Sequence, residues 1–123
     1  TYVDVTATNA GTVVLDRLYK ECIPRAWVKF SASGGTIVVG NEFNVSSVTR
    51  NAAGDYTINF RTALGDTQYA ASISGRFGAG ASFFAMEQHD APTRSASALR
   101  IYTLNSAGTP TDAIVCSVII FGA

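Results

Sequence analysis

Residues 25–30 read RAWVKF, residues 43–49 FNVSSVT and residues 54–60 GDYTINF, and the stretch closes with TALGDTQYA at 62–70. Successive strand residues point to opposite sides, so Ala26, Val28 and Phe30 share one face of RAWVKF while Arg25, Trp27 and Lys29 share the other. Tyr56, Ile58 and Phe60 alternate in the same way with Thr57 and Asn59. Between the second and third strand-like runs, residues 50–55 (RNAAGD) supply the Asn, Gly and Asp that tolerate positive φ or bond their own backbone in a tight turn. Val45 to Phe60 is therefore expected to be a β-hairpin, within a strand-turn-strand-turn-strand meander.

Working outward, the alternation continues. Strands are expected near 25–32, 43–49, 55–61, 68–76, 97–104 and 113–121, and Ala81 to Gln88 is also strand-like. Gly, Pro, Asn or Asp separates each from the next. Short strands at this spacing define an all-β fold, an antiparallel sandwich or barrel, and we take the β-sandwich, jelly-roll-like and single-domain, as the expectation. One segment stays open: Leu15, Leu18, Tyr19 and Cys22 recur at helical spacing, yet Thr12 to Leu15 equally opens a strand. The glycine-rich run GRFGAGA at 75–81 lacks the Lys-Ser/Thr of a phosphate loop and its strand-to-helix setting, and reads as a hairpin turn.

The 123 residues are enough for one two-layer core and too few for two. Nine basic side chains balance nine acidic ones, so no net field draws the chain to nucleic acid or to an anionic membrane. No apolar run approaches the length of a membrane span, which excludes helical membrane insertion as an expectation. Cys22 and Cys116 lie too far apart in sequence to suggest a disulfide framework. Cys116 alternates with Ile114, Val118 and Ile120 and reads as a reduced core thiol. Asn44-Val45-Ser46 has the form of a glycosylation acceptor but lies inside an expected strand, and no role is assigned to it.

AWVKF, the Gly-rich turn after it, FNVSSVTRNAAGDYTINFRTAL and DTQYA together resemble a β-sandwich domain at the C-terminal ends of tail fibres and tailspikes of tailed bacteriophages. The closing LRIYTLNSAGTPTDAIVCSVIIFG is similar to the way such domains end. The resemblance covers residues 25–75 and 97–122. It implies a homotrimeric tip module of a virion tail fibre, made in the host cytoplasm, that serves trimer assembly and contacts the host surface. Its partners would be a bacterial surface glycan or outer-membrane receptor, its own sister subunits and an upstream fibre shaft. Residues 1–24 would then be a connecting segment from that shaft, and 25–123 the tip domain.

Two residue sets are candidates for function. The last strand is apolar on both faces, Ile114, Cys116, Val118 and Ile120 on one and Val115, Ile119 and Phe121 on the other. Either it is a central strand covered on both sides within one subunit, or Val115, Ile119 and Phe121 meet sister subunits around a three-fold axis. The second set lies in 76–94, where the resemblance lapses. Arg76, Phe77, Phe84, Gln88, His89, Asp90 and Arg94 combine aromatic faces with planar polar groups, as a sugar-binding loop would. The plainer reading has Phe83 and Met86 filling core and His89 and Asp90 on a solvated turn. Trp27 has the same two readings, a stacking face or a core residue.

Catalysis lacks its parts. His89 is the single histidine, no Gly-x-Ser-x-Gly elbow occurs, and the carboxylates are scattered rather than paired. No enzyme and no cofactor are expected. The alternatives kept beside a receptor-binding tip are a purely structural trimerisation cap and a monomeric carbohydrate-binding module of an enzyme.

Overall fold

A computed structural model describes residues 22–78, 84–87 and 93–122. Among them run eight strands: β1 (Ala26–Ser31), β2 (Val38–Phe43), β3 (Val45–Ala52), β4 (Asp55–Phe60), β5 (Ala70–Arg76), β6 (Phe84–Glu87), β7 (Ala98–Leu104) and β8 (Val115–Phe121). They form two antiparallel four-stranded sheets, ordered β2-β1-β8-β5 and β3-β4-β7-β6. The all-β expectation holds, and the two sheets make a sandwich.

The alternation of side chains builds the core. Ala26, Val28 and Phe30 of β1 and Cys116, Val118 and Ile120 of β8 face Tyr56, Ile58 and Phe60 of β4 and Leu99 and Ile101 of β7. Each fully buried large side chain of this kind is worth about 1.5–3 kcal/mol relative to exposure. The Phe30 and Tyr56 rings meet edge to face across the sheets, 5.2 Å apart at 76°. Such a pair adds specificity of orientation to simple burial.

The meander, in contrast, is not one sheet. The Val45 to Phe60 hairpin forms as expected, with Val48 opposite Ile58, but RAWVKF lies in the other sheet. Between them runs β2, a strand absent from the sequence reading, which pairs with β1. The expected strand at 43–49 is cut at Asn44, where the chain leaves the first sheet and enters the second.

Asn44 makes that crossing with a φ of 55°, a left-handed conformation that Asn tolerates better than most residues. Its amide nitrogen donates to the carbonyls of Arg25 (3.1 Å) and Thr62 (3.0 Å), and its Oδ1 accepts from the Thr62 N–H (2.8 Å). Side-chain bonds thus replace the ladder bonds lost where the strand changes sheet.

The β3–β4 turn is glycine for a spatial reason. Gly54 has φ 67°, and a Cβ there would collide with the Thr103 carbonyl and the Thr111 nitrogen. The Gly54 carbonyl also accepts from Thr103 N at 2.8 Å. The backbone approach lets the hairpin seat against the segment leading to β8. The 12–22 segment, apart from Cys22, and most of the 1–24 connecting segment lie outside the described residues.

Candidate binding surfaces

Two outward faces carry side chains beyond what the core uses. On the first sheet, Phe43, Trp27, Ile119 and Ser72 line up across β2, β1, β8 and β5. Phe121 follows Ile119 two residues along the same face, and Val115 precedes it on that face. Phe43 is 45% exposed, Ile119 40% and Phe121 37%. β8 is central in its sheet, yet among the described residues its second face is left exposed at Ile119 and Phe121. Depressions on this surface are lined by Pro24, Trp27, Lys29 and Ile119, and by Lys29, Ser31, Val38 and Val115.

The outer face of the second sheet is organised by ion pairs and amide ladders. Arg100 donates from Nε to Asp55 Oδ1 (2.9 Å) and from Nη2 to Oδ2 (2.6 Å), a bidentate fork. Asn51 bridges Asp55 Oδ1 and Thr57 Oγ1. Asn59 donates to the hydroxyls of Ser47 and Thr49, 3.0 Å each. Hydrogen bonding by Arg100 holds the Asp55 carboxyl below the usual carboxylate range against the opposing effect of burial. Beside the amide ladders, Phe84 and Met86 of β6 lie opposite Leu104 and Tyr102 of β7 and are exposed.

Ion pairing also occupies the other carboxylates that line the sheets. Asp112 pairs with Arg50, Glu42 with Arg61 and Glu87 with Arg94. For Asp112, hydrogen bonds from Arg50, Gly54 N–H and Tyr56 outweigh burial and lower its pKa; the Val45 N–H, then Arg61, do the same for Glu42. Carboxylates held ionised in this way are poor proton donors at neutral pH. Among the described residues, no group of three His, Cys, Asp or Glu side chains gathers as a metal site.

The structure separates the residues named for receptor contact. Phe77 is only 6% exposed and belongs to the core, so it presents no stacking face. Arg94 turns toward its own subunit. It pairs with Glu87, donates to the carbonyls of Thr67 (3.0 Å) and Tyr69 (2.5 Å), and stacks 4.5 Å over the Tyr69 ring. These contacts give Arg94 a structural role that the sequence reading did not foresee. Arg76 is exposed on the outer face of the first sheet, opposite Val115, whereas Phe84 is exposed on the outer face of the second. The two therefore do not share a surface. Gln88, His89 and Asp90 lie outside the described residues.

Val115, Ile119 and Phe121 do share a face, as the alternation predicts. The sequence reading missed Phe43 and Val38 as their neighbours. The signal was faint, because β2 is exposed almost throughout and so shows no alternation. Trp27 is neither core nor isolated: it is half-buried on that same face.

No known protein family matches the chain, and no curated protein or solved structure matches it significantly.

Proposed function

We propose that this domain is the tip module of a phage tail fibre: a homotrimer joined through the outer face of the β2-β1-β8-β5 sheet that presents its remaining surface to a host glycan or outer-membrane receptor. Eight strands in two four-stranded sheets have the count of a jelly roll, and that kinship is part of the proposal. The reading begins from the resemblance of residues 25–75 and 97–122 to such domains. The single observation that carries it is the strip of apolar side chains formed by exposed Phe43, Ile119 and Phe121 around half-buried Trp27. Contiguous apolar surface of this kind marks association sites. Catalysis has no part in the proposal, and the virion tail is its location.

The test is the mass of the isolated domain in solution by sedimentation. Three copies are expected, with dissociation on Ile119→Asp, because burying an unpaired charge in an interface costs several kcal/mol. Ile119 is already exposed in the single subunit, so the substitution spares the core. A monomer at micromolar concentration would end the trimer reading and favour the monomeric carbohydrate-binding module. Host contact is tested separately, by alanine substitution at Gln88, His89 and Asp90 together. Loss of adsorption with an unchanged melting temperature is expected.

A purely structural trimerisation cap is the second reading. The inward engagement of Arg94 and the burial of Phe77 favour it, since they remove two of the seven residues proposed for the receptor.

A further inference from the structure

We infer a binding site for a small anionic ligand, one carrying a carboxylate or a phosphate, at Lys29, Ser31, Asn41 and Arg76 on the outer face of the β2-β1-β8-β5 sheet. It goes beyond the tip-module reading and depends on neither its trimer nor its host contact.

This face divides along the strands. At one end lies the apolar row of Phe43, Trp27 and Ile119. The next row is polar and crosses all four strands: Asn41, Lys29, Ser117 and Ser74. In the row after that, Val38 pairs with Ser31 and Val115 with Arg76. The pairing of β1 with β2 shifts between Lys29 and Phe30 and leaves Gly40 as the extra residue of a bulge. With no side chain at Gly40, the surface dips there. The hollow is lined by Lys29, Ser31, Val38, Gly40, Asn41 and Val115 and measures about 520 Å³, within the range of about 300–1,000 Å³ typical of small-ligand sites. Arg76 borders it beyond Val115, two strands from Lys29, or about 10 Å across the sheet. Both side chains are long enough to reach a ligand seated over Val115.

Two features select an anion. The first is charge. Asp112, Glu42, Glu87 and Asp55 are each paired with an arginine of their own subunit and none belongs to this outer face. Lys29 and Arg76 are exposed on it, and among the described residues neither has an ion pair. The second is hydrogen bonding. Ser31 Oγ accepts from the Ser33 N–H (3.2 Å), and Asn41 Oδ1 accepts from the Glu42 N–H (3.0 Å). Their acceptor oxygens are thus engaged locally, while the Ser31 hydroxyl proton and the Asn41 amide protons remain to be donated. Together with the ammonium and the guanidinium, they make a surface of donors.

A carboxylate or a phosphate brings acceptors and charge together, and such charge-assisted bonds are about twice as strong as neutral ones. A neutral ligand forgoes the charge, and a cation is repelled. A second copy of the chain is a poor occupant. Its carboxylates named above are committed to arginines, and sealing Lys29 against it without a counter-charge is unfavourable. Self-association through the apolar row therefore leaves this half of the face at its margin.

The experiment is a titration of the ¹⁵N-labelled domain with glucuronate, glucose 6-phosphate and glucose, one sugar body in two anionic forms and one neutral form, followed by amide chemical shifts. Saturable shifts at Lys29, Ser31, Gly40 and Asn41 with at least one anion, and none with glucose, are expected. The relative affinity of the two anions tells carboxylate from phosphate. Lys29→Gln should weaken the response about tenfold or more, Lys29→Arg should restore most of it, and added sodium chloride should weaken it in the unmodified domain. Lys29 is exposed, so these substitutions spare the core. A response to glucose equal to that of the anions, no saturable response to either anion, or a Lys29→Gln variant that binds like the unmodified domain overturns the inference. Sedimentation of the same samples keeps the two proposals apart: a monomer that binds an anion ends the trimer reading and leaves this site standing, and a trimer that binds neither anion does the reverse.

Discussion

Tyr56 donates a 2.8 Å hydrogen bond from its phenol to Asp112 Oδ1, joining the β3–β4 hairpin to the segment that enters β8. The same phenol oxygen accepts from the Ala113 N–H at 3.2 Å. Asp112 is further held by Arg50 through two nitrogens and by the Gly54 N–H at 3.0 Å. Burial pushes the Tyr56 hydroxyl up to about 12, so it stays a donor at all physiological pH. One carboxylate therefore gathers four donor groups, from Arg50, Gly54 and Tyr56, out of a hairpin some sixty residues away in sequence.

Asp112→Ala is expected to destabilise the domain by about 2–3 kcal/mol, because it leaves the Tyr56 hydroxyl and the Gly54 N–H without their acceptor. The melting temperature should fall by roughly 10 °C. Thermal unfolding followed by circular dichroism measures it.

Acid should act through the same group and through Asp55. Both carboxyls have pKa values lowered in the folded state, so near pH 4 the unfolded chain binds more protons than the folded one. Their contribution is present above the ordinary Asp value and is lost as pH falls through the depressed folded values. Melting temperatures should therefore drop steeply below about pH 4, and Asp112→Asn should flatten that decline.

Gly54→Ala is expected to cost more than about 2 kcal/mol. The substitution meets backbone atoms of Thr103, Thr111 and Pro110 and forces a non-glycine residue to positive φ. Urea unfolding gives the value, and a loss within about 0.5 kcal/mol of zero would refute the close approach of the hairpin to the β7–β8 connection.

Arg94→Ala should lower stability by about 1–3 kcal/mol through loss of the Glu87 pair and of the bonds to the Thr67 and Tyr69 carbonyls. Arg94→Lys should recover only part of this, since an ammonium cannot reproduce the planar fork or its stacking on Tyr69. Parallel unfolding curves of the two variants decide whether the arginine is a structural clamp.

The two cysteines should differ in reactivity. Cys22 is exposed, while Cys116 is buried in β8 and its thiol is pushed up to about 12 by that burial. A thiol reagent added to the folded domain should modify Cys22 alone, with Cys116 reacting only in denaturant. Mass spectrometry of the labelled protein counts the adducts.

Alternation by itself determined the strands, their inward faces and the Val45 to Phe60 hairpin. Burial on one face leaves a period of two in the side chains of RAWVKF, GDYTINF and the last strand. The same period assigned Val115, Ile119 and Phe121 to a common outer face. It could not find β2, because Val38 to Phe43 sits at a sheet edge where little is buried and no period is imposed.

Only the tertiary structure decided which strands share a sheet, since Asn44 carries the chain from one sheet to the other within a single residue. Long-range partners were equally beyond the sequence. Arg94 looked like a loop cation and Phe77 like an exposed ring, but Glu87 and Tyr69 are brought to the first, and the core to the second, only by the fold. Local side-chain periodicity records burial, whereas pairing between distant groups is set by where the whole chain places them.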